Sequence, residues 1–237
     1  SRREPDARMQ LTHLHIPKTA GTSLRESIAL AHPDLSIAHV LDPVHEDVPE
    51  GADVISGHFS YDDTVRYGHP VVTVLRHPVD RFVSIYFFWR ELYEKNIERT
   101  RKTSLAHHLP LLDFAKAMDE PELCSELYNR MAWQLYSDFR LNKRFEARRE
   151  QQLTTQGLTD GAIAHLRGFA VVGFQDRYGD FVEALNGHFG MAIENRKVNV
   201  TQRRSAVEDL TRSELAAILA WVEADMEIYH TALKERG

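Results

Sequence analysis

One stretch limits this chain's fold more than any other. Leu11-Thr12-His13-Leu14-His15-Ile16 runs directly into Pro17-Lys18-Thr19-Ala20-Gly21-Thr22-Ser23. The first six residues read as a short strand, and Ser23–Ala31 reads as a helix. Between them lies a polar loop with one Lys, one Gly and three hydroxyl residues. Strand, tight loop and helix N-terminus form a geometry suited to phosphate. The first backbone N–H groups of a helix lack intrahelical partners, and the helix dipole favours an anion there. Lys18 adds a mobile positive charge.

The loop departs from the nucleotide-triphosphate pattern Gly-x-x-x-x-Gly-Lys-Ser/Thr, because Lys18 precedes Gly21 and no glycine lies N-terminal to it. A second motif adds to it. Val71–Leu75 is a β-branched apolar run, as expected of a buried parallel strand. It leads into Arg76-His77-Pro78-Val79-Asp80-Arg81-Phe82-Val83-Ser84. Pro78 suits the first turn of a helix. Arg76 then falls at a strand's C-terminal end, where open α/β sheets place ligands, and Ser84 lies two turns into the helix. Each motif alone has an ordinary explanation: a turn with Thr22 or Ser23 as N-cap, or a helix-capping Arg with a solvent-facing Ser. Two in this order, about 55 residues apart, are hard to obtain by chance.

The order Pro-Lys-Thr-x-Gly-Thr-Ser resembles the 5′-phosphosulfate loop of the sulfotransferases that use PAPS (3′-phosphoadenosine 5′-phosphosulfate). The Arg76/Ser84 pair resembles their 3′-phosphate motif. Within them the chain is similar to the branch of heparan sulfate and uronyl 2-O-sulfotransferases and their bacterial relatives. The likeness covers roughly residues 10–233. Asn129–Leu135 resembles the family's mid-chain helix, and Ala170–Phe174 with Asp180–Leu185 its late strand-helix unit. Asn199-Val200-Thr201 with Arg203 and Arg204 resembles, more loosely, the loop that closes over the nucleotide.

The resemblance implies transfer of SO₃ from PAPS to an acceptor hydroxyl, carbohydrate or small alcohol, by in-line displacement. Lys18 would neutralise charge on the leaving phosphate. Thr19, Ala20, Gly21, Thr22 and Ser23 would cradle the 5′-phosphate. Arg76 and Ser84 would hold the 3′-phosphate, and Thr201, Arg203 and Arg204 would cover the nucleotide. His58 is the candidate base. It follows the strand-like Ala52–Ser56, so its imidazole would emerge at the sheet's ligand edge, and a His titrates near neutral pH. The heparan and uronyl enzymes carry two histidines at i and i+2 in this segment. Here Ser56 replaces the first, which leaves the acceptor open more than the reaction.

Other features read as structural. His13 and His15 share one face of a strand, but no carboxylate or Cys with ligand spacing accompanies them, so no metal is expected. His107 and His108 read as part of a solvated basic loop over 99–110, with acceptor contact the alternative. Arg99, Arg101, Lys102, Lys143, Arg144, Arg148 and Arg149 read as solvated charge, with an anionic-acceptor channel as the alternative. Trp89, Trp133 and Trp221 sit in helical patterns and read as core, and Cys124 as structural.

The pattern along the chain is α/β. The expected fold is P-loop-like and three-layered, with a short, mainly parallel sheet. Strands are expected at Leu11–Ile16, Leu35–Val40, Ala52–Ser56, Val71–Leu75 and Phe169–Phe174. Helices are expected at Tyr61–Tyr67, Val79–Glu98, Leu111–Met118, Glu122–Phe139, Arg144–Leu153, Asp160–Leu166 and Tyr178–Phe189, with one from Thr211 towards Lys234. With 237 residues, a single domain is expected, its core about 10–98 and 169–235 and a helical insertion or lid about 99–168. A net charge of −6 argues against a nucleic-acid binder. One cysteine allows no intrachain disulfide and suits a reducing, cytoplasmic setting. No run is long enough to span a membrane. A start at Ser1 leaves a trimmed N-terminal anchor open. Two rivals stand beside the sulfotransferase reading: a P-loop nucleotide kinase, and a non-catalytic binding module on the same fold.

Overall fold

The computed structural model describes residues 9–19, 21–41, 48–49, 51–137, 153–195 and 207–237. These fall into two compact units. One comprises Ser1–Leu75 and His165–Asn199, the other Arg76–Ala164 and Val200–Gly237.

The first unit is built on five short strands: β1 (Leu11–Leu14), β2 (Ile37–Val40), β3 (Val54–Gly57), β4 (Val71–Leu75) and β5 (Val171–Phe174). Their order is β2-β3-β1-β4-β5, and every neighbouring pair is parallel. The expected "mainly parallel" sheet is therefore wholly parallel among the described residues. β1, β3 and β5 are buried along their whole length, as strands covered on both faces are, while β2 exposes His39. The register pairs Leu14 with Gly57 and Thr12 with Val71, so β1, β3 and β4 end at one edge. Helix α1 (Gly21–Ala31) follows β1 and buries Leu24 and Ile28, one turn apart. Leu11, Val54, Val72 and Val74 of the sheet join them in one apolar cluster with Phe181, Val182 and Leu185.

Gly57 leaves no room for a side chain. A Cβ on Gly57 would sit 1.9 Å from the Val40 carbonyl oxygen, so the last residue of β3 must be bare. Helix α2 (Tyr61–Tyr67) starts four residues beyond β3's end. Ser60 caps it: its backbone N–H and hydroxyl both donate to the Asp63 carboxylate, at 2.9 and 2.8 Å. Gly68, at φ 67°, ends it in the left-handed conformation.

The second unit is helical. Its elements are α3 (Pro78–Glu94), α4 (Arg101–His108), α5 (Leu111–Lys116), α6 (Pro121–Leu127), α7 (Arg130–Tyr136), and most of α8 (Thr155–Arg167), which reaches the boundary at His165. The late helices are α9 (Tyr178–Phe189) in the first unit, and α10 (Arg212–Leu219) and α11 (Glu223–Arg236) in the second. Phe82, Tyr86, Trp89, Phe114 and Trp221 form its aromatic core, and the Trp221 indole N–H donates to the Ala115 carbonyl at 2.6 Å. Trp133 and Cys124 are also buried, as expected.

Several expected elements are corrected here. Residues 101–108 are a helix, not loop: Thr100 and Thr103 make a capping box, and Thr103, Leu105 and Ala106 supply a buried face beneath the basic residues. The single helix expected over Glu122–Phe139 is two, separated at Asn129, whose φ of 45° is left-handed. The closing helix is also two, because the chain turns inward at Trp221 and Val222 to bury both. Helix α3 stops at Glu94, followed by Asn96 at φ 55°. Helix α8 starts at Thr155, earlier than the expected Asp160. The strands are shorter than expected at one or both ends, except Val71–Leu75, which matches. Residues 144–152 and 199–206 lie outside the described residues.

Candidate functional site

The loop after β1 is held by its own side chains. The Thr19 hydroxyl donates to the Ile16 carbonyl at 2.7 Å and is fully buried. It closes the turn. Lys18 adopts φ 70°, uncommon for a residue with a side chain. Gly21 opens α1; Ser23 is buried and Thr22 exposed. Ala20 lies outside the described residues.

Gly21 is fixed by a neighbour rather than by its backbone angle. A Cβ there would fall 2.1 Å from Cδ2 and 2.2 Å from Nε2 of His15. The His15 ring therefore lies directly on the start of α1. It also meets His58, the residue just beyond β3, with ring centroids 4.7 Å apart and planes tilted by 48°. His13 also stacks on it, at 5.4 Å and 22°. His13 in turn bonds through Nδ1 to the Ser56 hydroxyl at 2.9 Å. The backbone sets this up: the His15 N–H donates to the Gly57 carbonyl and the His58 N–H to that of Val40.

The cluster is electrostatically one-sided. Burial first, then His58, Arg25 and His39, pushes the His13 imidazole down to about 3. His15 is lowered well below its ordinary value, by burial and then by His13, His58, His39 and Arg25. Both rings are neutral near pH 7. No group of three or more His, Cys, Asp or Glu among the described residues is arranged to hold a metal ion.

The second motif lies on α3. Arg76 is the first residue beyond β4; His77 then precedes Pro78, which starts the helix. Arg76 and Ser84 are both buried, at 4% and 7% exposure, so the solvent-facing Ser is ruled out. Arg81, on the same helix, is fully buried and donates to the Glu126 carbonyl at 3.0 Å. Burial lowers its guanidinium to about 10, against the opposing pull of Asp225.

Sequence reasoning placed the loop and His58 but missed what joins them. His15 was read only as half of an unsupported metal pair. The alternation of His13 and His15 on one strand was visible, but the β1–β3 register that sets His15 beside His58 was not. His107 and His108 pack on Tyr93, His107 stacking at 4.5 Å, and Arg99 lies 3.9 Å over the same ring. Thr201, Arg203 and Arg204, like Lys143, Arg144, Arg148 and Arg149, lie outside the described residues.

Among solved structures, mouse sulfotransferase SULT7A1 complexed with PAP is similar at 13% identity and a TM-score of 0.37. The match covers 79% of this chain and 61% of that one, so the chain spans about three fifths of that structure's length. No curated protein matches. The model of the sulfotransferase family matches residues 6–230, nearly the whole chain, and the protein belongs to that family.

Proposed function

We propose that the protein moves the sulfuryl group of PAPS to an acceptor hydroxyl, on a carbohydrate or a small alcohol. Family membership supports sulfuryl transfer in general. The observation that carries the finer reading is the contact of His15 with both Gly21 and His58, which puts the candidate base one side chain away from the candidate phosphate loop.

In this reading the acceptor oxygen attacks sulfur while the bond from sulfur to the bridging phosphate oxygen breaks. That electron pair stays on the 5′-phosphate, where Lys18 and the N–H groups at the start of α1 offset the growing charge. The acceptor's proton passes to His58 as the new S–O bond forms. Thr19, Ala20, Gly21, Thr22 and Ser23 cradle the 5′-phosphate. Arg76 and Ser84 take the 3′-phosphate, with Thr201, Arg203 and Arg204 covering the nucleotide. The transfer itself needs no metal.

A thermal-shift comparison tests the nucleotide half. A ligand that binds only the folded state raises its apparent stability. PAP, with its 3′-phosphate, should raise the melting temperature well above the shift produced by ADP at equal concentration; the reverse order would favour a nucleotide kinase. Incubation with radiolabelled PAPS and a panel of hydroxyl acceptors tests the transfer.

A further inference from the structure

We propose that His15 is a positioning residue for His58, its ring packed against the His13 ring and the start of α1 so that the candidate base keeps one orientation. The inference rests on the sulfuryl-transfer reading above.

Three independent contacts hold the His15 ring. Its backbone is pinned level with the end of β3, since Leu14 pairs with Gly57 and the His15 N–H donates to the Gly57 carbonyl at 2.9 Å. Its ring stacks on His13, which the Ser56 hydroxyl anchors. The ring also fills the space that any side chain at position 21 would need. A ring fixed by these contacts is a rigid wall, and the His58 ring rests against it at 4.7 Å. Proton abstraction needs hydrogen-bond reach and alignment, so a base free to change rotamer spends less time in a productive pose.

Charge fits the same role. The lowering of His15 traces, after burial, to His13 on β1, His58 beyond β3, His39 on β2 and Arg25 on α1. Two imidazolium rings at this separation would repel, so the cluster favours one proton at a time.

The test compares His15→Ala and His15→Phe in the full chain. His15→Ala should lower kcat by roughly 10- to 100-fold, the scale of a misaligned catalytic group, while the Kd for PAP stays within about 3-fold. His15→Phe, which refills that space without an ionisable atom, should recover most of that loss. In NMR spectra of the wild type, the His15 ring signals should stay flat between about pH 5 and 8. The His58 ring should gain mobility in His15→Ala. Parallel loss of kcat and PAP affinity, no recovery in His15→Phe, or a titrating His15 would overturn the proposal. The NMR readout needs no turnover. A wild type that neither binds PAP nor transfers sulfate, yet shows a neutral His15 restraining His58, would sink the sulfuryl-transfer reading and leave the positioning intact.

Discussion

Asn129 and Asp225 cap each other's helices. The Asn129 side-chain oxygen accepts the Ala224 N–H at 2.9 Å and the Asp225 N–H at 3.4 Å. The Asp225 carboxylate accepts the N–H groups of Ala132 at 2.8 Å and Met131 at 3.3 Å. Both side chains are buried. Asn129→Ala would strand two buried donors and keep a left-handed residue without its side-chain bonds, for a loss of about 2–3 kcal/mol. Asp225→Ala should cost more, about 3–5 kcal/mol, because Arg81 and Arg130 then lose a buried counter-charge. Urea unfolding of the two variants checks the order; equal stability would break the account.

Stability should depend on pH through groups of opposite sign. The folded His13 titrates near 3, below its ordinary 6.5. Below about 6.5 the unfolded chain binds a proton that the folded chain refuses, so stability falls as pH drops towards 3. His15 acts in the same direction. Asp225 acts oppositely: burial raises it from 3.8 to about 6, so the folded chain holds that proton and acidification from 6 to 4 adds stability. Each unmatched proton contributes a slope of up to ~1.4 kcal/mol per pH unit. Two histidines against one acid leave a net loss on acidification, about one unmatched proton between pH 4 and 6, where Asp225 offsets one of the two histidines. Denaturation midpoints across that range, followed by circular dichroism, should fall steadily on acidification. A midpoint that rises steadily on acidification would contradict the histidine assignments.

Gly21→Ala should damage binding and chemistry together. The new methyl meets the His15 ring, which is backed by His13 and His58 and cannot withdraw cheaply. Overpacking of this kind costs about 1–3 kcal/mol. Calorimetry should show weaker PAP binding than in the wild type, since the loop itself is displaced. Unchanged affinity would mean that the α1 N-terminus does not bind the nucleotide.

Lys18 and His58 should separate by what each loss leaves behind. Lys18→Ala should lower turnover by roughly 10²–10³, the effect of removing a transition-state charge stabiliser. His58→Asn should lower it by about 10²–10⁴ and abolish the acidic limb of the pH–rate profile, with PAP affinity nearly unchanged. A His58→Asn enzyme that retains the acidic limb would assign the base elsewhere.

Arg76→Ala should erase most of the preference for 3′-phosphorylated nucleotides. A charge-assisted hydrogen bond is worth about 1.5–3 kcal/mol, or roughly 10- to 100-fold in affinity. Equal losses for PAP and adenosine 5′-phosphosulfate would show that Arg76 does not read the 3′-phosphate.

The sequence made the strands and the loop legible because both are local. Val71–Leu75 is a continuous β-branched run, and the turn after β1 is spelled by consecutive residues. The breaks at Asn129 and Trp221 were not legible. Each is decided by a partner about 90 residues away, Asn129 by the N–H groups of Ala224 and Asp225, and Trp221 by the Asn129 N–H it accepts. Helix α4 was hidden by composition: Arg101, Lys102, His107 and His108 drew attention from the Leu105–Ala106 face. The role of His15 depended on strand register, which a single sequence does not print.

The sheet also sets the order in which this protein can be finished. β4 pairs with β5 through Val72 and Val171, positions separated by 99 residues of chain. On a ribosome, four strands emerge early, and β4's outer hydrogen-bonding edge stays unpaired while the next hundred residues are synthesised. Closing so long a loop is slow, because the chain loses its freedom before the contact is made. The rate at which β5 arrives therefore governs how long the nascent chain carries an edge open to pairing with another molecule.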